Sequence, residues 1–409
     1  MTLGDRYCDV RSATDALTAP LSAEDQTVQS MADVSPTKWH RAHTTWFFET
    51  FVLGPHVSGY TVHDPAYDYL FNSYYEAVGA RYPRAQRGLV SRPGVAEVGE
   101  YRAHVDQHMQ ALLHGSGADR LADLVELGLH HEQQHQELLL MDICHVLRQS
   151  PLRPVYAPAP APTVGTPSLG WHDIDGGVVT VGHDGDGFSF DNERPAHQVL
   201  LEPYRLADRV VTCGEWLEFV ADGGYSRHDL WLSDGWATVN AQGWDSPLYW
   251  EQVDGAWHEF TLHGLRPVDP AAPVAHLSHF EADAFAHWAG ARLPTEFEWE
   301  HAVTSICGSA TTDPAPGSFA TTPVDGTGPM ADRFGQVWQW TSSAYLPYPR
   351  FQPAAGAVGE YNGKFMSGQM VLRGSSCLTS GGHARPTYRN FFPASARWVG
   401  AGLRLAADR

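Results

Sequence analysis

The sequence is poor in cysteine, in positive charge and in long apolar runs, and each shortage excludes a class of protein. Five cysteines (Cys8, Cys144, Cys213, Cys307 and Cys377) are scattered through 409 residues without a CxxC pair. They make neither a disulfide framework nor a cysteine zinc knuckle, a usage that fits a reducing compartment. Lys and Arg number 27 against 47 Asp and Glu, leaving a formal charge of −20. An excess of that sign repels phosphate, so neither nucleic acid nor an anionic membrane is an expected partner. No apolar run approaches the roughly 18 residues that suggest a membrane-spanning helix. The opening MTLGDRYCDVRSATD also lacks the basic-then-apolar pattern of a leader. The expectation is a soluble, cytoplasmic protein whose number of copies the sequence does not define, a homo-oligomer included.

Histidine and aromatic residues are abundant: 22 His, 14 Trp, 16 Tyr and 17 Phe. The chain is long enough for two cores, and its texture changes midway. Residues 1–150 read as helical. Trp39, Ala42, His43, Trp46 and Phe47 share one face of a helix expected to start with Ser35 as N-cap and Pro36 at the first helical position. Further helices are expected in the first thirty residues, over Val98–Leu113 and over Asp119–Arg148, so a four-helix bundle is the simplest packing. Residues 151–170 hold six prolines and no helical period, which marks a linker. Beyond residue 150 lie 12 of the 14 tryptophans and 29 of the 39 glycines. Short alternating stretches such as Gly177–Val181 and Met370–Arg373 suggest strands there, with one clear helix near His279–Gly290. The fold class expected is α+β in two domains, 1–150 and 171–409.

The strongest chemical signal is Leu129-His130-His131-Glu132-Gln133-Gln134-His135. On a helix, four residues correspond to about 40° of rotation and one turn of rise, so His131 and His135 can reach one ion. HExxH is also the zinc-protease pattern, but Leu138 stands where the glycine of HExxHxxGxxH belongs. A third ligand is sought upstream, at His43 between two tryptophans or at His40 one turn earlier. Three neutral imidazoles leave octahedral positions open, which suits ferrous iron, although spacing does not exclude zinc. The run HDGDGFSFDNE, with Asp184, Asp186 and Asp191, does not match an EF-hand and reads as a polar turn.

Taken together, SPTKWHRAHTTWFFE, FNSYYEAVGARYPRAQRG and HHEQQHQE resemble the ergothioneine sulfoxide synthases. The later phrases NERP, RLPTEFEWE, VWQWT, LRGS and GLRL resemble the formylglycine-generating-enzyme-like domain that follows in that family. The resemblance covers nearly the whole chain. It implies a DinB-like four-helix bundle joined to a C-type-lectin-like (formylglycine-generating-enzyme/sulfatase-modifying-factor) domain. It also implies an Fe(II) centre that uses O2 to join a thiol to C2 of the imidazole of hercynine, giving a sulfoxide. Its ligands would be His43, His131 and His135, with His43 favoured over His40.

The resemblance further implies roles for other residues. The Asn72-Ser73-Tyr74-Tyr75-Glu76 stretch is similar to the cysteine-using branch, where paired tyrosines stand near the iron. Arg84 and Arg87 would clamp the thiol substrate's carboxylate, and Gln134, Asn390 and Phe391 would contact hercynine. Phe392 occupies the place where the γ-glutamylcysteine-using branch has an aspartate, so cysteine is the expected thiol. γ-Glutamylcysteine, histidine or a selenium donor remain alternative substrates. Tyr345 and Tyr348 are equally compatible with the pocket and the core. A copper formylglycine-generating oxidase would need a pair of reactive cysteines, and Cys377 has no neighbour in sequence to make one.

Overall fold

The computed structural model describes residues 2–115, 118–160, 165, 168–311, 318–323, 328–330 and 332–409. They form two compact units. The first takes Met1–Tyr156 with Ala354–Tyr361, and the second takes Ala157–Pro353 with Asn362–Arg409. Part of the proline-rich stretch 151–170, residues 161–164 with 166 and 167, lies outside the described residues.

Four helices build the first unit: α1 (Leu3–Thr18), α2 (Thr37–Phe48), α5 (Val95–Leu113) and α6 (Ala122–Gln149), with short turns α3 (Gly54–His56) and α4 (Tyr67–Phe71) between α2 and α5. Thr2 and Asp5 close a capping box at the start of α1. The start of α2 differs from the sequence expectation by one residue. Pro36 takes the cap position, and no side chain caps the helix. Ser35 is used elsewhere: its N–H donates to Asp142 (2.7 Å) and its hydroxyl accepts from Arg87 (2.9 Å). A single-turn 3-10 stretch, Ala118–Leu121, precedes α6, so that helix begins three residues later than expected.

Two features draw the bundle together. A Cβ on Gly128 of α6 would lie 2.5 Å from the Phe48 ring and 2.9 Å from the Phe47 ring, so only glycine lets α2 lie this close. In the interior, Glu132 of α6 has no solvent exposure and accepts from Arg11 (2.8 Å) and Thr14 (2.7 Å) of α1 and from Arg102 (3.3 Å) of α5. Arg11 also reaches Thr45 of α2 (2.9 Å) and Asp106 of α5 (2.7 Å). One buried ionic cluster thus ties all four helices.

The second unit carries a six-stranded sheet in the order β1-β4-β11-β8-β9-β10, with ranges Trp171–Ile174, Tyr204–Val210, Ala401–Asp408, Trp338–Ala344, Gln369–Gly374 and Asn390–Pro393. Its pairings are antiparallel except β11 with β8. A ribbon pairs β2 (Gly177–Val181) with β3 (His197–Leu201), and β5 (Trp250–Val253), β6 (Ala256–Thr261) and β7 (Gly264–Pro267) form a meander. The one helix expected here is present as α9 (His279–Trp288). Three more accompany it: α7 (Cys213–Ala221), α8 (Ser233–Gln242) and α10 (Glu296–Cys307). Both α7 and α10 begin with capping boxes, Thr212/Glu215 and Thr295/Glu298. The surrounding glycine-rich texture masks such short helices, but the Thr-x-x-Glu spacing was readable.

Several of the phrases that carry the resemblance are buried ion pairs. Arg373 of β9 reaches Glu296 (2.9 Å) and Glu300 (2.9 Å) of α10, Arg389 reaches Glu296 (2.7 Å), and Arg404 of β11 pairs with Asp332. Their guanidiniums fasten strands to α10 and to the loop before β8.

His276 packs on Tyr249 (4.5 Å between ring centres) and His279 on Trp340 (5.7 Å). Burial pushes both imidazoles down to about 4. The unfolded chain protonates its histidines near pH 6.5, so the folded form binds fewer protons between those values. Stability should therefore be full above about pH 6.5 and fall towards pH 4, by about 1.4 kcal/mol per pH unit for each imidazole. Denaturant unfolding at several pH values reads this. The drop should shrink in His279→Phe, and an unchanged drop would contradict the assignment.

Candidate metal centre

α2 and α6 bring together His43, His131 and His135. One ligand atom from each lies within 4.8 Å of the others, and among the described residues no other group of three His, Cys, Asp or Glu side chains meets this spacing. The ring centres are 4.9 Å (His43 to His131), 4.7 Å (His43 to His135) and 4.6 Å (His131 to His135) apart. His43 is stacked between Trp39 (4.6 Å) and Trp46 (5.5 Å), and its Nδ1–H donates to the Phe71 carbonyl (2.6 Å). That bond leaves the Nε2 lone pair for the centre. His131 packs on Phe47 (4.8 Å). His40, the competing candidate, does not join the three; its Nδ1 stands 2.9 Å from Nδ1 of His135.

The residues fit a metal ion. Nε2 of His43 and both ring nitrogens of His131 are buried without a hydrogen-bond partner. Polar nitrogens stripped of water are costly unless something replaces that water, and a cation does so. Burial holds His131 down at about 3 and pushes His43 and His135 well below the usual imidazole range, with the neighbouring imidazoles adding to the effect. Neutral imidazoles are the form that ligates, and three of them suit a first-row divalent ion.

The HExxH reading fails on geometry. Glu132 points into the bundle, where Arg11, Arg102 and Thr14 engage its carboxylate. The two guanidiniums offset the cost of burial and hold it below the usual carboxylate range. A side chain so committed is not free to activate a metal-bound water.

Asn72 shapes the loop bearing Tyr74 and Tyr75. Fully buried, it accepts from the Tyr75 N–H (3.0 Å) and donates to the carbonyls of Tyr75 (3.0 Å) and Gly79 (3.2 Å). Tyr75 is buried against Trp46 (5.6 Å) and Phe51 (5.2 Å), with the Tyr74 ring 4.7 Å away. Burial raises the Tyr75 phenol well above its ordinary value, and Tyr74 and Tyr361 add to this. Tyr361 was not anticipated. It comes from the far end of the sequence, packs edge-on against His131 (5.5 Å) and lies 6.2 Å from Tyr74. Beside it, Glu360 accepts from the N–H groups of Glu76 (3.0 Å) and Ala77 (2.9 Å). No local spacing in the sequence announces a contact across 284 residues.

Arg84 and Arg87 share one 3-10 turn, Arg84–Leu89, but meet different surroundings. Arg84 is exposed and donates to the Asp33 carbonyl. Arg87 is buried, lies over the Trp39 ring (3.3 Å) and donates to the hydroxyls of Ser35 (2.9 Å) and Ser73 (3.4 Å). Among the described residues no carboxylate pairs with it, and desolvation lowers its affinity for a proton.

Gln134 precedes His135 on α6 and is partly buried. In the second unit, Asn390, Phe391 and Phe392 lie on the edge strand β10, whose alternation puts Phe391 on the face opposite the other two. Phe391 stacks on Tyr345 (4.1 Å, 10° between planes), and Phe392 meets Trp398 edge-on (6.0 Å). The Tyr345 hydroxyl accepts from Asn192 (2.9 Å), while the Tyr348 hydroxyl accepts from Arg373 (2.9 Å) and donates to Glu296 (3.3 Å). Tyr348 belongs to the buried ionic core.

These features define a class first: a two-unit α+β protein with a largely buried three-imidazole group able to hold a metal ion. Residues 172–313 match the family model described as the sulfatase-modifying factor enzyme 1-like domain. A hercynine oxygenase of Mycolicibacterium smegmatis is 34% identical over 69% of this chain and 71% of its own length. One from Mycolicibacterium thermoresistibile is 30% identical over 92% of this chain and 88% of its own. A formylglycine-generating enzyme of Streptomyces coelicolor is 27% identical over 60% of this chain and 88% of its own. The chain belongs to the hercynine oxygenase family and is an enzyme of the oxygenase class. No helix among the described residues is long and apolar enough to cross a membrane.

Two outcomes test the centre. His131→Ala should lower divalent-metal content at least tenfold by elemental analysis. Glu132→Gln should leave metal content near that of the wild type but destabilise the bundle by about 3–5 kcal/mol, because it strands buried guanidiniums. Metal loss in Glu132→Gln at a temperature where it stays folded would contradict this division of roles.

Proposed function

We propose that this chain is a non-haem Fe(II), O2-dependent sulfoxide synthase that joins cysteine to C2 of the hercynine imidazole. The product would be hercynyl-cysteine sulfoxide, made in the cytoplasm on the way to ergothioneine. The observation that carries the reading is the group of His43, His131 and His135, linked to the Tyr74–Tyr75 pair through the rings of Trp46 and Tyr361. Iron(II) held by the three imidazoles would supply the redox chemistry for O2 and lower the pKa of the substrate thiol.

The overall change balances. The C2–H and S–H bonds break, a C–S bond forms and the sulfur gains one oxygen. O2 takes up four electrons, placing one atom in the sulfoxide and the other in water.

The chain's own residues then divide the work. Arg87, a buried guanidinium with no carboxylate partner among the described residues, is suited to the cysteine carboxylate, with Arg84 on the same turn. Gln134, Asn390 and Phe391 are proposed to hold hercynine, Phe391 by contact of its ring with the trimethylammonium group. Phe392 offers no charge to the ammonium of a glutamyl extension, which favours free cysteine. The Tyr75 phenol, raised by burial, keeps its proton at neutral pH and can donate it. Tyr74 is proposed to share that role.

The test is to load the protein with Fe(II) without oxygen, add hercynine, admit O2 and offer cysteine or γ-glutamylcysteine in parallel. Mass spectrometry should find hercynyl-cysteine sulfoxide with cysteine. Product from γ-glutamylcysteine alone would overturn the thiol assignment, and no coupled product from either would overturn the reaction. Tyr74→Phe or Tyr75→Phe should shift the products towards cysteine sulfinic acid, and an unchanged ratio in both would remove the tyrosines from the mechanism. Arg87→Met should raise the KM for cysteine at least tenfold while sparing that for hercynine.

A further inference from the structure

His40 and Asp142 are not among the residues assigned a role above, yet both are buried directly behind a proposed ligand. Nε2 of His40 lies 3.0 Å from Oδ2 of Asp142, and Nδ1 of His40 lies 2.9 Å from Nδ1 of His135. Asp142 stands two turns beyond His135 on α6, and its Oδ2 is fixed by the Ser35 N–H (2.7 Å). We propose that Asp142 and His40 are positioning residues, a carboxylate–imidazole chain that sets the tautomer of His135 and so aims its Nε2 lone pair at the metal centre.

The argument is one of donor and acceptor counting and rests on the three-histidine metal reading. Nδ1 of His135 is engaged with His40, so Nε2 is the atom left to ligate. A ligating Nε2 must be unprotonated, which puts the hydrogen of neutral His135 on Nδ1. That hydrogen needs an acceptor, so Nδ1 of His40 must present a lone pair and its hydrogen must sit on Nε2. A carboxylate oxygen accepts that hydrogen, and Asp142 supplies one. Reversing the chain would put a hydrogen on Nε2 of His135 and block ligation through that atom. His43 obtains the same tautomer more simply, from the Phe71 carbonyl. His43 and His135 are thus oriented by different means. His135 alone depends on a charged side chain, whose negative charge also strengthens it as a donor.

Two readouts test this without turnover. In metal-free protein labelled with 15N-histidine, the His135 signal, identified by its loss in His135→Gln, should show the Nδ1–H tautomer. An Nε2–H tautomer would overturn the proposal. In Co(II) titrations, His40→Phe, which removes the acceptor, should weaken binding 10- to 100-fold. His40→Asn, which keeps an oxygen near the Nδ1 position, should recover most of that loss. Equal affinity in wild type and folded His40→Phe, or no recovery in His40→Asn, would overturn it. If His40→Phe does not fold, Asp142→Asn serves: binding about tenfold weaker supports the chain, and unchanged binding overturns it. The tautomer signal decides the matter even if the intact protein takes up no Co(II), an outcome that would overturn the metal reading alone.

Discussion

The bundle depends on a buried charge cluster. Two buried guanidiniums and a buried carboxylate are expensive to desolvate, and they survive because each is answered by several partners. Such a cluster is a poor source of net stability and a good source of register. Glu132 can meet Arg11, Arg102 and Thr14 together only when α1, α5 and α6 hold one alignment. In that alignment the next face of α6 presents His131 and His135. The close approach at Gly128 then lets α2 bring His43 to them. Metal geometry at the centre is thus inherited from ion pairs one residue away along the same helix.

Much of this was legible because helical periodicity is a strong signal. The HxxxH spacing on one long amphipathic run gave two candidate ligands, and the Trp-rich run upstream offered His43 or His40 as the third. The choice between His43 and His40 was not legible from spacing, since both lie on faces that turn inward. It is made by what stands behind each ring: a backbone carbonyl for His43 and a carboxylate for His40. The role of Glu132 was equally hidden. Its neighbours Arg11 and Arg102 lie 121 and 30 residues away, and only the packed bundle shows that this HExxH glutamate faces the wrong way for hydrolysis.

In the second unit the sequence showed the strands β2 and β9 and the helix α9 more readily than the helices around them. α7, α8 and α10 span about two to three turns each, too short for periodicity to outweigh a glycine- and tryptophan-rich background. The motif phrases there are informative for another reason. Arg373 and Arg404 are internal struts: Glu296 and Glu300 of RLPTEFEWE answer Arg373, and Asp332 answers Arg404. A fold with long irregular loops and short strands has few backbone ladders to define it, so buried ion pairs take over part of that task.

The segment Ala354–Tyr361 is part of the first unit although most of the second unit precedes it in the chain. During synthesis the four helices emerge early, but the Glu360 carboxylate that ties down the tyrosine loop emerges 284 residues after Glu76, and the Tyr361 ring that packs on His131 follows it directly. The first unit therefore cannot finish its own loop until the segment Ala354–Tyr361 has left the ribosome. Contacts of such long range form late because the intervening chain must first be ordered. A nascent chain would hold the three imidazoles before it holds the Tyr361 ring against His131, so the centre is closed only after Ala157–Pro353 of the second unit has been made.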